Sequence, residues 1–256
     1  MAKHTTCLVC TSINLDPLKG YYPRHKLVKC GNCGFVFMEE IPTLEELQAH
    51  YSSYSYVGEA YLSDLTVKSY HLLLDEFEKY KKTGRILDIG CGRGWFLIEA
   101  KKRGWEVYGT EYSDAGMDVC RAAGLTMFQG KLNPSDFEGK EFDVITSFEV
   151  IEHINNPIEE LNHIHSLLRK GGLFYLTTPN FNSLNRFILK ADYNVIQYPE
   201  HLSYYTKSTI GTLGERQGFK TKKLLITGFS VTRIKNSRPY RDWETDRKST
   251  RLNSSH

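Results

Sequence analysis

From residue 85 onward, short apolar runs alternate with amphipathic stretches. Runs over 85–89, 106–110, 126–129, 142–147, 172–177 and 220–227 predict strands. Stretches near 95–103, 115–123, 157–169 and 207–217 repeat their apolar positions at helical spacing. Such alternation makes parallel βαβ units, so the pattern predicts an α/β fold with a doubly wound, mostly parallel sheet. Upstream, an amphipathic helix is expected over 64–81. Pro42-Thr43-Leu44-Glu45-Glu46 opens another helix, with Thr43 and Glu46 spaced as a capping box. Tyr51, Tyr54, Tyr56 and Tyr61 fall between the two. They either pack a small domain onto a large one or form a lid whose aromatic faces would suit a cation.

Composition narrows the class. The chain has 256 residues, 40% of them hydrophobic, enough for one large globular domain and a small appendage. No apolar run approaches the ~18 residues of a membrane span. The start, MAKHTTCLVC, lacks the basic head and apolar stretch of a secretory signal. A cytoplasmic protein with no membrane partner is expected. Of the net charge of +3, the stretch from Arg233 to His256 supplies +4, from seven Lys/Arg against three acids. The remainder carries −1, so no nucleic-acid partner is expected. Residues 241–256 show neither helical nor strand periodicity, and they resemble a translated sequencing adapter. The native chain is expected to diverge near Tyr240, leaving 237–256 as a non-native, disordered tail.

Four of the six cysteines form two pairs, Cys7-x2-Cys10 and Cys30-x2-Cys33, with 19 residues between the pairs. Each pair can present two thiolates on one tight knuckle, and two knuckles complete a tetrahedron around zinc. Gly31 and Gly34 suit the backbone of such a turn. Four sulfurs leave no open coordination position, so the zinc would be structural. Redox thiols or packed, unliganded cysteines are the plainer alternatives, and disulfides fit a cytosolic protein poorly.

The first strand of the large domain runs into Asp88-Ile89-Gly90-Cys91-Gly92-Arg93-Gly94, with a helix starting near Trp95. Glycines at this turn let main chain approach a ligand closely, at the carboxyl ends of the strands where open α/β sheets bind ligands. The spacing is G-x-G-x-G rather than the dinucleotide G-x-G-x-x-G. A second acid, Glu111, ends the next strand, where a carboxylate can accept two hydrogen bonds from ribose hydroxyls.

Here the sequence resembles the class I S-adenosylmethionine-dependent methyltransferases, over about residues 83–230. The signature acid-x-G-x-G-x-G runs from Asp88 to Gly94, and the ribose acid falls on Glu111. Phe142 to Ile154 looks like the family's second motif, and Leu168-Arg169-Lys170-Gly171-Gly172 like the turn into its fifth strand. The resemblance implies the Rossmann-like methyltransferase fold with S-adenosylmethionine as cofactor. Asp88, Gly90, Cys91, Gly92, Gly94, Glu111 and Tyr112 would form its site. Gly90 and Gly92 would face the methionine portion, Phe148 and Glu149 would lie along the cofactor, and adenine would lie near Gln129, Gly130, Lys131 and Leu132.

The whole chain further resembles sugar C-methyltransferases that pair an N-terminal four-cysteine zinc module with a Tyr-x-Glu-His cluster. Here that cluster is Tyr198, Glu200 and His201, on a loop because Pro199 disfavours helix at Tyr198. By this resemblance His201 is the general base, Glu200 orients its ring and Tyr198 steers substrate, with His153 in reserve. A structural loop histidine and a packed His153 are the plainer readings. The implied organisation is a zinc-binding module over 1–40, a helical, tyrosine-rich lid segment over 41–82 and a methyltransferase domain over 83–236. Methyl transfer to a small molecule, such as a nucleotide-linked sugar, leads. O-Methyltransferases of quinone biosynthesis also resemble the core. A nicotinamide-dependent oxidoreductase and a non-catalytic zinc or nucleotide-binding module are the alternatives.

Overall fold

The structure is a computed structural model and describes residues 2–43, 45–47 and 62–226. The four tyrosines Tyr51, Tyr54, Tyr56 and Tyr61, most of the helix opened by the capping box, the stretch Phe229–Ile234 and the expected non-native tail lie outside the described residues.

In chain order the first elements are β1 (Ala2–Lys3), β2 (Leu15–Pro17), α1 (Tyr22–His25), β3 (Leu27–Cys30), β4 (Val36–Met38) and β5 (Glu40–Ile41). Then follow α2 (Asp64–Phe77), β6 (Arg85–Ile89), α3 (Trp95–Lys102), β7 (Glu106–Glu111), α4 (Asp114–Ala122) and β8 (Thr126–Gln129). The last are β9 (Phe142–Phe148), α5 (Pro157–Leu167), β10 (Leu168–Thr177), α6 (Leu184–Leu189), β11 (Ser203–Tyr204) and α7 (Lys207–Arg216).

The chain forms two compact units. The described part of the first comprises residues 2–43, 179–216 and 220–226. That of the second comprises 45–47, 62–178 and 217–219.

The second unit holds a five-stranded sheet, ordered β10-β9-β6-β7-β8 and parallel throughout. β6 is central because its apolar run is buried on both faces: Ile86 and Leu87 are fully covered. Ile86 pairs with Val107 on one side and Val144 on the other. α2 starts at Ser63, whose side chain accepts from the Thr66 amide at 3.2 Å. It buries Leu74 and Phe77, one turn apart, against Ile86, Phe96 and Val107. Leu74, Phe77 and Ile86 have at most 1% of their surface exposed, and each contributes ~1.5–3 kcal/mol of apolar burial.

A buried ion pair fixes where β6 begins. Arg169 Nε donates to Asp143 Oδ1 at 2.5 Å, and the amides of Lys82 and Gly84 donate to Asp143 Oδ2 at 2.8 and 2.7 Å. Burial would push this carboxyl up. The Arg169 guanidinium and the backbone donors more than offset that and hold it below the usual carboxylate range.

Two elements depart from the hydrophobic pattern. β10 begins at Leu168 rather than 172, because a register shift between Leu168 and Leu173 absorbs Gly171 and Gly172. Residues 220–226 form no strand. Lys220, Lys222 and Lys223 leave that segment without an apolar face, and Leu225 and Ile226 are exposed. Among the described residues, β10 is therefore the edge of the sheet.

The first unit is built on an antiparallel sheet ordered β11-β4-β3-β2, beside the pair β1 and β5. Residues 179–216 share the core of the cysteine-bearing segment. Ser203 of β11 pairs with Phe37 of β4, and Phe181, Tyr193, Ile196 and Leu202 pack with Leu27, Val36 and Met38. About forty residues bury too little surface to be stable alone, and the later segment supplies the missing apolar cover.

Candidate active site

The turn after β6 is stitched to the end of β7. Gly90, Gly92 and Gly94 all have left-handed backbones, with φ of 64°, 56° and 68°, where a side chain is strained. The Gly90 amide donates to Thr110 Oγ1 at 3.3 Å and the Cys91 amide to the Thr110 carbonyl at 3.0 Å. The Gly92 amide donates to Glu111 Oε2 at 2.9 Å. Glu111 Oε1 accepts from the amides of Tyr112 and Ser113, both at 2.9 Å. Three of the carboxylate's roughly four lone-pair sites are thus engaged, which leaves one on Oε2. The Gly130 amide reaches the Glu111 carbonyl at 2.8 Å. Glu111 therefore joins the glycine turn, the start of α4 and the loop after β8.

Asp88 lies beneath this turn, 2% exposed, and accepts from Thr146 Oγ1 at 2.7 Å. Burial pushes its carboxyl up to about 7. The Thr146 hydroxyl opposes this shift, and the charge of Glu111 adds to it. Gly116 was not legible as a site residue. A Cβ there would stand 2.8 Å from Glu111 Cγ and 3.3 Å from the Gly92 carbonyl. An isolated glycine inside the helical pattern after Ser113 was the signal that could have found it.

Along the rest of the predicted cofactor set, Gln129 Nε2 donates to Asp114 Oδ1, Leu132 is fully buried, and Tyr112 is exposed. Lys131 acts on Glu160: burial pushes that carboxyl up to about 7, and the lysine opposes it. Phe148 sits in an aromatic cluster, 5.1 Å from the Phe96 ring, 5.6 Å from Tyr175 and 6.1 Å from Tyr70. Burial first, and then the Asp88 charge, raise the Tyr70 phenol, which adds Tyr70 to the candidates. Glu149 has a left-handed φ of 54°, with its amide on the Thr177 carbonyl at 3.0 Å and on Thr177 Oγ1 at 3.2 Å. Such strain at a strand's carboxyl end is the kind found at ligand sites. Val150 follows, and its Cγ2 stands 2.7 Å from where a Cβ on Gly90 would be. His153 closes the short helix Ile151–His153, and the buried Glu152 beside it accepts from Thr178 Oγ1 at 3.0 Å.

Tyr198, Glu200 and His201 belong to the first unit. Tyr198-Pro199 is a cis peptide. His201 Nδ1 lies 2.6 Å from the Val195 carbonyl. A carbonyl only accepts, so Nδ1 carries the proton and the neutral ring keeps its lone pair on Nε2. The ring is oriented at Nδ1 by this carbonyl. The Tyr204 hydroxyl donates to the His201 carbonyl at 2.8 Å, and burial raises that phenol far above its usual range.

In the same unit the four paired cysteines converge, with all sulfurs within 4.8 Å of one another. Cys7 and Cys33 sulfurs are 3.5 Å apart, and those of Cys10 and Cys30 are 3.6 Å apart. Tetrahedral Zn–S bonds of about 2.3 Å place sulfurs ~3.8 Å apart, so the spacing fits the metal. The Val9 amide points at Cys7 Sγ (3.4 Å) and the Asn32 amide group at Cys10 Sγ (3.5 Å). All six cysteines are free thiols.

A family model described as "Methyltransferase domain" matches residues 61–224. The ubiquinone biosynthesis O-methyltransferase of Roseobacter denitrificans is 36% identical over 104 residues, 38% of this chain and 42% of that protein. Its counterpart from Aeromonas salmonicida is 27% identical over 153 residues, 55% of this chain and 64% of that protein. The chain thus spans about half the length of the curated relatives it matches. Among solved structures, an S-adenosylmethionine-dependent methyltransferase from Mesorhizobium loti aligns with a TM-score of 0.48 at 22% identity. That alignment covers 68% of this chain and 92% of that one. A second, from Archaeoglobus fulgidus, has a TM-score of 0.49 at 21% identity, covering 70% and 86%.

Proposed function

The chain belongs to the methyltransferase-domain family, and from that premise we propose that it transfers a methyl group from S-adenosylmethionine to a small-molecule acceptor. The observation that carries the reading is the convergence on Glu111 of the Gly92 amide, the start of α4 and the Gly130 amide. Main-chain groups and one carboxylate at the carboxyl ends of adjacent parallel strands suit a nucleoside. The lone-pair site left on Glu111 Oε2 can accept from one ribose hydroxyl rather than the two expected from the sequence. The cofactor, when bound, supplies an electrophilic methyl on a sulfonium. Asp88, Gly90, Cys91, Gly92, Gly94, Glu111 and Tyr112 would hold its amino-acid and ribose portions. Phe148 and Glu149 would flank it, and Gln129 to Leu132 would take the adenine.

An acceptor hydroxyl or carbon acid is too weak a nucleophile at neutral pH without a base, and a positioned base contributes ~10²–10⁴-fold. His201 is the proposed base, through Nε2, since Nδ1 is committed to the Val195 carbonyl. Glu200 and Tyr198 steer charge and substrate beside it, and His153 is the reserve. Cys7, Cys10, Cys30 and Cys33 would hold one structural zinc. Cytoplasmic residence and the absence of a nucleic-acid partner belong to the same reading. No helix among the described residues is long and apolar enough to cross a membrane.

A nucleotide-linked sugar is the proposed acceptor, methylated at carbon or oxygen. The similarity to ubiquinone biosynthesis O-methyltransferases favours a phenol as the second reading. A methyl-transfer assay with labelled cofactor, run against nucleotide sugars and phenols, separates them. Transfer to neither class, together with no calorimetric binding of the cofactor, would sink the assignment.

A further inference from the structure

We propose that Cys91 and Cys120 form a peroxide-sensitive switch, which closes a disulfide across the glycine turn and weakens cofactor binding. That the bond forms rests on the placement of the two thiols alone. That it weakens the cofactor rests on the methyl-transfer reading.

The two sulfurs stand 3.9 Å apart, one from the turn after β6 and the other from α4, 29 residues away in sequence. Both are free thiols in the second unit, apart from the four cysteines of the ribbon. Cys120 is fully buried, and its S–H donates to the Gly92 carbonyl at 3.3 Å. Cys91 is half-buried.

A disulfide bond is about 2.05 Å long, so the sulfurs must approach by roughly 2 Å. Cys120 has little freedom to move. It is held on a helix, and its Sγ lies 2.8 Å from where a Cβ on Gly94 would stand. Cys91 lies instead between Gly90 and Gly92, whose left-handed backbones carry no side chains to restrain them. The Met127 sulfur, 4.0 Å from Cys91 Sγ, belongs to an unbranched side chain that can follow the shift. The cost falls on the turn. Cys91 donates its amide to the Thr110 carbonyl at 3.0 Å, and Gly92 donates its own to Glu111 Oε2 at 2.9 Å. Drawing Cys91 toward α4 pulls on both bonds, which are the ones that stitch the turn to the end of β7.

Burial selects the oxidant. A small, uncharged peroxide can reach a half-buried thiol and its buried neighbour, where a bulky disulfide cannot. The Cys120 sulfur attacks one peroxide oxygen, the O–O bond breaks, and a sulfenic acid and one water form. The Cys91 sulfur then attacks the sulfenic sulfur, the S–O bond breaks, and the hydroxide leaves with the Cys91 proton as a second water. Two thiols thus give up two electrons and two protons to one peroxide. Accepting from Cys91 lowers the Cys120 thiol, against burial and the charges of Glu111 and Asp88, which favours Cys120 as the attacking sulfur. The same bond, followed by burial and the Asp88 charge, raises Cys91.

The test treats the full chain with hydrogen peroxide, maps its disulfides by peptide mass spectrometry and titrates S-adenosylmethionine calorimetrically before and after. A peptide pair joined through Cys91 and Cys120 should appear, affinity should fall about tenfold or more, and dithiothreitol should restore it. Cys120→Ser keeps a donor for the Gly92 carbonyl and all four ribbon cysteines. Compared with its own untreated form, it should lose no affinity to peroxide, and Cys91→Ser takes its place should that variant fail to fold. Sulfurs that merely pack would give no crosslink in folded protein, and that result overturns the proposal. So does a crosslink that leaves affinity unchanged, or an equal loss of affinity in the serine variant. Untreated protein that binds no cofactor overturns the methyl-transfer reading and the switch together, whereas binding that peroxide leaves intact overturns the switch alone.

Discussion

Glu111 accepts from three backbone amides at once, so its loss leaves Gly92, Tyr112 and Ser113 without an acceptor. Hydrogen bonds to a charged partner contribute ~1.5–3 kcal/mol each. Glu111→Ala should weaken S-adenosylmethionine binding tenfold or more by calorimetry, as the turn loses its shape. Asp88 makes a different prediction, about pH. Unfolded, it ionises near 3.8, and folded it holds its proton to about 7. Between these values the folded state keeps a proton that the unfolded state has lost, so stability falls as pH rises through that window. The loss is on the order of a few kcal/mol. Asp88→Asn keeps an acceptor for Thr146 and cannot ionise. It should raise the melting temperature more at pH 8 than at pH 5, and an equal shift at both would place the titration elsewhere. Glu111 was legible in the sequence because it closes an apolar run. Gly116 and the Asp143–Arg169 pair were not, since their partners are set by tertiary packing over separations such as the 26 residues of that pair.

At the scale of elements, the helix after the glycine turn can start only if Gly94 stays a glycine. A Cβ there would meet Leu125 Cδ1 at 2.5 Å and Cys120 Sγ at 2.8 Å, on a backbone already at φ 68°. Gly94→Ala should cost ~2–4 kcal/mol in urea denaturation, from left-handed strain plus overpacking. In the cysteine ribbon, Cys30→Ala removes one of four converging sulfurs. It should abolish an expected content of one zinc per chain, measured by mass spectrometry of the metal, and lower the melting temperature. β6 and β9 were readable because almost every position in them is buried, which leaves nearly continuous apolar runs. The start of β10 was not, because Arg169 and Lys170 interrupt the run where the register shifts. The segment 220–226 shows the converse: a few apolar residues among lysines read as a strand, but they offer no face to bury.

For the molecule as a whole, the proposed chemistry is divided between the two units. The residues proposed for the cofactor lie in the second, and Tyr198, Glu200 and His201 in the first. His201→Asn should therefore cut turnover by ~10²–10⁴-fold while leaving cofactor affinity unchanged. Unchanged turnover would move the base to another group. The motif order from Asp88 to Pro179 made the sheet and its loops legible. The sharing of one core by residues 2–43 and 179–216 was not, because no local period marks a strand two residues long such as β11.

That shared core has a consequence for how the chain is born. Phe181, Ile196 and Leu202, which pack with Leu27, Val36 and Met38 to complete the ribbon's core, are translated more than a hundred residues after the second cysteine knuckle. At ~5–20 residues per second, the nascent ribbon spends on the order of ten to thirty-five seconds as a half-built fold. The sheet strands emerge during that interval, so the ribbon matures after segments translated later than its own strands, and the zinc proposed for its thiols, if captured in the meantime, would guard it against premature aggregation.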